Sequence, residues 1–242
     1  MKSTFIFAFM LAVLLVVVSA APAAKKCHLS KDPHANEVCK KFCGKGGYRF
    51  ESGTFLKVFK DADDRAHDAS EADPFPAYLD GIDTSLAPFC PTSAGRVLKA
   101  LKMAHVGPAD QVIDLGSGDG RFCTAAVAEF DAARAVGIES DPELIALSKQ
   151  LCDRVLPQSD RVEFVEGDLM SSGESGIVRD PCWTVIVLFL LPDHTDKFAD
   201  LLLEHYGRGA RIISLVFNLN EIEGLRLVES DDGIFVYAKE GL

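Results

Sequence analysis

The sequence predicts an α/β protein with a doubly wound, mostly parallel seven-stranded sheet, a C-terminal antiparallel hairpin and a poorly structured N-terminal extension. Three observations predict it. From Thr92 onward, short apolar runs alternate with helical segments, the texture of parallel strands buried on both faces. The heptapeptide Asp114–Gly120, D-L-G-S-G-D-G, directly follows the apolar Val112-Ile113 and opens a helical stretch. A tight strand-to-helix turn with a close-lying ligand needs glycine there, for positive φ and for clearance. Near the C-terminus, Asp231-Asp232-Gly233 separates two short strand-like runs, which is a hairpin signal.

Each element can be justified in order. Ser93 can cap a first helix whose apolar face is Val97, Leu98, Leu101 and Met103-Ala104, ending at Gly107-Pro108. Gln111 to Leu115 is a short strand, and a helix follows over Arg121 to Phe130, its N-terminal N–H groups facing the loop. Arg134 to Ile138 is the second strand. Asp141-Pro142-Glu143 opens the next helix, with proline in the first turn and carboxylates at the positive end. Val162 to Val165 is the third strand and Trp183 to Leu190 a long apolar fourth. Asp193 starts a helix through His205, and Ala210 to Phe217 is the fifth strand. Leu225 to Glu229 and Ile234 to Ala238 form the hairpin. Asn218 to Gly224 is too short for a crossover helix, which is expected to be lost or reduced to a turn.

Before Thr92 the texture differs. Residues 1–20 have the form of a signal peptide or membrane anchor: Lys2, the apolar run Phe5 to Val18, then Ser19-Ala20-Ala21-Pro22. The uncharged stretch through Ala24 is long enough to span a bilayer if uncleaved, so membrane attachment through residues 5–24 stays open. Residues 21–60 form a short cysteine-containing segment with Cys27, Cys39 and Cys43. One bridge from Cys27 to Cys39 or Cys43 is possible in an oxidising compartment, and the spacing with His28 and His34 matches no common zinc site, so no metal is expected. Residues 61–91 carry Asp61, Asp63, Asp64, Asp68, Glu71 and Asp73, then Pro74, Pro76 and Pro88. They read as an acidic linker or loosely packed cap, not a core element. Residues 92–242 form the main domain.

Composition narrows the function. With 48% hydrophobic and 25% charged residues, the 242-residue chain can bury a sizeable core. A net charge of −11 opposes a nucleic-acid surface, which needs clustered Lys and Arg. The glycine loop narrows it further. The dinucleotide fingerprint G-x-G-x-x-G fails here: the third glycine, Gly120, comes one residue early, and Arg121 stands where that pattern wants glycine or alanine. Downstream, Arg134-Ala135-Val136-Gly137-Ile138-Glu139 places an acid at the next strand tip, suited to accept from ribose hydroxyls.

Loop and acid together resemble the class I S-adenosylmethionine methyltransferases, whose Rossmann-like sheet has seven strands. The resemblance implies S-adenosylmethionine as cofactor, bound outside the carboxyl ends of the strands. It makes Gly116, Ser117, Gly118 and Gly120 the floor of the site. Asp114 would hold the methionine part or order water beneath it, and Glu139, with Ser140 beside it, would take the ribose. Asp168 would accept from the adenine amino group and Leu169 would offer a backbone N–H. At the fourth strand end, Phe189, Leu190 and Pro192 form an apolar gate facing the methyl group and the acceptor. No catalytic acid or base is assigned. Asp193 or His194 could take a proton, although Asp193 as a helix cap with an exposed His194 is the plainer reading.

The stretch from Ala87 to Phe217 resembles, more narrowly, the mitochondrial protein-lysine methyltransferases of the ATP synthase c-subunit and adenine nucleotide translocase. The matching pieces are A-P-F-C-P-T, V-I-D-L-G-S-G-D-G-R, A-V-G-I-E-S-D-P-E-L-I, G-D-L, V-I-V-L-F-L-L-P and G-A-R-I-I-S-L-V-F. This implies methyl transfer to a lysine of a protein, with Pro91-Thr92 closing over the cofactor's amino-acid end. It also implies a membrane anchor and a mitochondrial membrane as an alternative to the secretory pathway that the leader suggests. Met170 to Pro181 departs from the family's shorter connection. Cys27 to Tyr48 resembles the start of an invertebrate defensin, without that family's later cysteines, and suggests a chimeric gene or a mis-joined gene model. The alternatives are a small-molecule methyltransferase, or a secreted non-enzymatic protein with a degenerate cofactor-binding domain.

Overall fold

A computed structural model of the chain describes residues 53–72, 91–169, 176–190 and 197–239, with residues 65–72 described in backbone only. The elements are α1 (Thr54–Ala72), α2 (Ala94–Met103), β1 (Gln111–Leu115), α3 (Arg121–Phe130), β2 (Arg134–Glu139), α4 (Pro142–Val155) and β3 (Val162–Glu166). After a 3-10 turn at Ile177–Arg179 come β4 (Val185–Leu188), α5 (Ala199–Gly207), β5 (Arg211–Leu215), β6 (Leu227–Asp231) and β7 (Ile234–Tyr237). The seven strands form one sheet in the order β3-β2-β1-β4-β5-β7-β6. The first five are parallel, and β7 pairs antiparallel with both β5 and β6. This is the expected doubly wound sheet with its terminal hairpin. Residues 216–226 between β5 and β6 contain turns and no helix, as their length required.

Alternation along each strand divides the core between the two faces of the sheet. Val112, Ala135, Phe164, Val185, Val187 and Ile213 pack with α1, α2, α3 and α4. Ile113, Leu115, Val136, Ile138, Ile186 and Leu188 pack on the opposite side with Trp183 and with Leu201, Leu202 and Tyr206 around α5. At the amino ends of the strands, Asp110 accepts from Gly107 N (2.8 Å) and Thr184 Oγ1 (2.7 Å) and pairs with Arg211. That end is tied shut, and the opposite edge is left for chemistry.

The reading of residues 61–91 as a linker or loose cap needs correction for Thr54–Ala72, which is one helix crossing the expected division at residue 60. Phe55, Val58 and Phe59 are buried in the same cluster as α2, α3 and α4, with Ala62 packed against it. These four positions have the i, i+3, i+4, i+7 spacing of a helical face. Of the acids in the described part, Asp61 and Asp64 are exposed, and Asp63 finds a specific partner. A smaller difference is at an element end: β4 is shorter than the apolar run containing it. The leader and Cys27, Cys39 and Cys43, with the rest of residues 1–52, lie outside the described residues, as do Pro192, Asp193 and His194 and the helix expected to start there. Among the described residues no helix is long and apolar enough to cross a membrane, and none form a candidate metal cluster. Cys123, Cys152 and Cys182 are free thiols.

Candidate cofactor site

The parallel strands end level with one another. Leu115 is in register with Ile138 and Leu188, and Glu139 with Glu166. The loop Gly116–Gly120 therefore leaves β1 at the centre of the sheet edge, flanked by the end of β2 on one side and Phe189-Leu190 on the other. Its shape comes from backbone hydrogen bonds: Gly116 N and Ser117 N both donate to Ile138 O at 2.9 Å, and Gly120 N donates to Ser117 O at 2.9 Å.

Two glycines are dictated by different physics. Gly120 caps α3 in the left-handed region at φ 76°, and a Cβ there would lie 2.5 Å from Phe164 Cζ and 2.7 Å from Ser148 Cβ. Gly116, at φ 84°, would place a Cβ in nearly open space, with Leu190 Cδ2 at 4.0 Å the one neighbour in reach among the described residues. Gly120 thus serves internal packing, whereas Gly116 keeps clear a face of the loop that no described residue fills. The strand residue Gly137 also makes room: its Cβ would meet Ser117 Oγ at 2.5 Å. Ser117 is buried and its hydroxyl has no partner among the described residues.

Glu139, at the tip of β2, fastens the loop to the start of α4. Its Oε2 accepts from Gly118 N (2.9 Å), and its Oε1 accepts from Ser140 N (2.8 Å) and Asp141 N (3.0 Å). Asp141 in turn caps α4 by accepting from Glu143 N at 2.9 Å. A carboxylate offers about four lone-pair positions, so Oε2, with one partner, keeps room for a hydroxyl. Asp114 is buried beneath the loop and its carboxyl is pushed well above its ordinary pKa, first by burial and then by the charges of Glu139 and Asp119. A cationic group set over the loop would relieve that penalty, which suits a sulfonium and an α-ammonium. Asp168 is exposed at the end of β3 and Leu169 beside it is buried, while Gly167 N donates to Glu139 O at 2.9 Å and keeps the two strand ends together.

The expected residues Thr92, Asp114, Gly116, Ser117, Gly118, Gly120, Glu139, Ser140, Asp168 and Leu169 therefore belong to elements meeting at one edge of the sheet, with Phe189 and Leu190 at its centre. Leu190 is buried and Phe189 half-buried. Next to them, β5 ends in a strained turn. Val216 takes φ 69°, unusual for a β-branched residue, Phe217 N donates to Leu215 O at 2.8 Å, and Ser214 Oγ donates to Phe217 O at 2.6 Å.

Sequence reasoning missed a buried ionic network under the loop. Arg121 Nε donates to Asp119 Oδ1 (2.8 Å) and Nη2 to Asp119 Oδ2 (2.6 Å), while Nη1 donates to Asp63 Oδ1 (2.6 Å) and to the Thr92 carbonyl. The guanidinium also lies 5.4 Å from the centre of the Phe59 ring. Burial alone would lower its pKa, but Asp119 and Asp63 outweigh that and hold the charge firmly. Ser93 stands at the N-cap of α2 without making a cap bond, and Asp63 Oδ2 accepts from the first helical N–H, Ala94 N, at 3.2 Å. The strand glycine Gly137 was a readable signal of close approach. Nothing in the local sequence announced the pairing of Arg121 with Asp63.

With this geometry in view, the comparisons with known proteins are specific. A family model described as the ANTKMT methyltransferase domain matches residues 114–226, from the glycine loop to the hairpin. A protein-lysine N-methyltransferase of Saccharolobus islandicus (strain REY15A) is 29% identical over 148 residues, which is 60% of this chain and 86% of that protein. A trans-aconitate 2-methyltransferase of Azoarcus sp. (strain BH72) is 31% identical over 130 residues, 54% of this chain and 47% of its own length. Among solved structures, an RNA methyltransferase from Salinibacter ruber in complex with S-adenosyl-L-homocysteine is 31% identical with a TM-score of 0.51, covering 61% of this chain and 91% of that one. The sheet order, the open face at Gly116 and the acid at the β2 tip agree with these likenesses, and the chain belongs to the class I S-adenosylmethionine-dependent methyltransferases.

Proposed function

We propose that the chain is a protein-lysine N-methyltransferase. The observation that carries this reading is the apolar wall beside the open face of the glycine loop: Leu190 and Phe189 border the place where the methyl group is delivered. The cofactor supplies a methyl group already activated by its positive sulfur. The protein's part is then to position a neutral amine in line with that methyl and to exclude water, which is the work apolar groups do. The loop and Glu139 orient the cofactor, and Phe189 and Leu190 desolvate the incoming lysine. The lysine-modifying relative and the family model support a protein acceptor over a small molecule. The net charge of −11 speaks against the nucleic-acid acceptor named for the Salinibacter protein.

The apolar leader further supports delivery to a membrane system, the secretory pathway by its signal-peptide form or a mitochondrial membrane by family likeness. N-terminal sequencing of the native protein separates a cleaved signal from a retained anchor. For the activity itself, tritiated S-adenosylmethionine is incubated with the full chain and a membrane-protein fraction, followed by acid hydrolysis. Label recovered as methyl-lysine is expected; label in small molecules or RNA, with none in protein, would refute the reading.

A further inference from the structure

We propose that Asp63, on a helix outside the segment matched by the methyltransferase family model, is a positioning residue for the cofactor site. Its two carboxylate oxygens do separate things. Oδ1 accepts from Arg121, whose other donors grip Asp119 between Gly118 and Gly120 and the carbonyl of Thr92. Oδ2 accepts from Ala94 N at the start of α2. One carboxylate thus binds the glycine-loop helix and the Thr92–Ala94 turn into a single body. The Ser93 hydroxyl between these anchored residues, on a residue only 5% exposed, has no partner among the described residues. Ser117 in the loop carries a second such hydroxyl. Two buried hydroxyls on firmly fixed segments, neither satisfied by a described residue, are placed for a partner from outside those residues.

The energetic consequence is preorganisation. A ligand whose site is assembled only part of the time binds more weakly by that fraction. Without the Asp63 carboxylate, Arg121 keeps Asp119, but the Thr92–Ala94 turn loses its link to α1. The cofactor must then order that turn itself. By reciprocity, cofactor binding must stabilise α1, although α1 contributes no residue of the glycine loop.

The test uses the full chain and S-adenosylhomocysteine as ligand, titrated calorimetrically into wild type, Asp63→Asn and Val58→Ala. Val58→Ala loosens the packing of α1 without touching the carboxylate. Asp63→Asn is expected to raise Kd about tenfold, as follows if the assembled fraction falls to about a tenth. Val58→Ala is expected to lower Tm with Kd within about twofold of wild type. A Kd for Asp63→Asn within about twofold of wild type would overturn the proposal. Hydrogen exchange on the wild-type protein decides the matter even if Asp63→Asn fails to fold. Ligand-induced slowing in residues 54–64 and 92–97 supports it, and slowing confined to residues 114–140 overturns it. An absence of heat and of protection everywhere would instead sink the cofactor assignment.

Discussion

Replacing Gly120 with alanine isolates what the glycine loop costs the fold. Two penalties add at this position. The left-handed backbone, at φ 76°, disfavours an L-residue by about 1–2 kcal/mol. The new methyl also falls 2.5 Å from Phe164 Cζ and 2.7 Å from Ser148 Cβ, inside a packed core, and overpacking of this kind costs about 1–3 kcal/mol. The expected loss is about 2–5 kcal/mol, a large share of the stability of an ordinary domain. Gly116→Ala is the internal comparison. It has the same kind of backbone, at φ 84°, but among the described residues its methyl meets only Leu190 Cδ2 at 4.0 Å, so its loss is held to the backbone penalty of about 1–2 kcal/mol. Urea unfolding without cofactor measures both, provided the m-values agree. Gly116→Ala is further expected to lose affinity for S-adenosylhomocysteine, because its methyl enters the face left open for the ligand. Adding Phe164→Leu to Gly120→Ala frees space and should reveal a favourable coupling of about 1–3 kcal/mol, while the backbone penalty stays. If the two alanine variants lose the same stability, within about 0.5 kcal/mol, the division into a packing glycine and a ligand glycine is wrong.

Two further predictions concern the buried charges. Arg121→Met keeps the length of the side chain but leaves Asp63 and Asp119 without their cation, and should cost about 3–5 kcal/mol in urea unfolding; a loss below about 1 kcal/mol would show the network to be ornamental. Asp114→Asn should stabilise the ligand-free protein at pH 7. The Asp114 carboxyl is held above its ordinary value of 3.8, by burial first, so the folded state binds its proton more tightly than the unfolded chain does. Stability therefore falls as pH rises from that ordinary value through the raised one, and the advantage of asparagine should shrink as pH is lowered from 7 toward 4. An advantage independent of pH, or none at pH 7, would contradict the electrostatic account of this residue.

How much could be read from the sequence varied with how local the cause was. β1, β2 and β3 were legible almost to the residue because an apolar run bounded by turn residues has few alternatives. The missing crossover helix followed from the few residues between β5 and β6. Glu139 was legible as an acid at a strand tip, but its three backbone partners were not, since two of them depend on how the next helix starts. Helix α1 was masked by its acids: the charges drew attention from Phe55, Val58, Phe59 and Ala62, whose spacing was there to be counted. Ser93 had the right identity and position for a cap, yet its side chain makes no cap bond, and the carboxylate at the start of α2 comes from another helix. Arg121 was legible as a residue that excluded another fold and as the end of the family motif; its burial depends on partners distant in sequence, which no local pattern encodes.

The separation between these partners also bears on how the molecule is made. Asp63 waits for an arginine 58 residues further along, and Arg96 on α2 reaches the carbonyl of Asp232, 136 residues away, at the turn of the final hairpin. On the ribosome, α1 emerges with its aromatic face uncovered, and the face is not fully covered until α2, α3 and α4 exist. The turn it steadies gains its last tether only when the C-terminal hairpin is complete. Such non-local closure slows folding and lengthens the time during which sticky surface is exposed. The helix synthesised early is thus consolidated late, and a nascent chain stalled before Asp232 would carry the glycine loop without the finished frame around it.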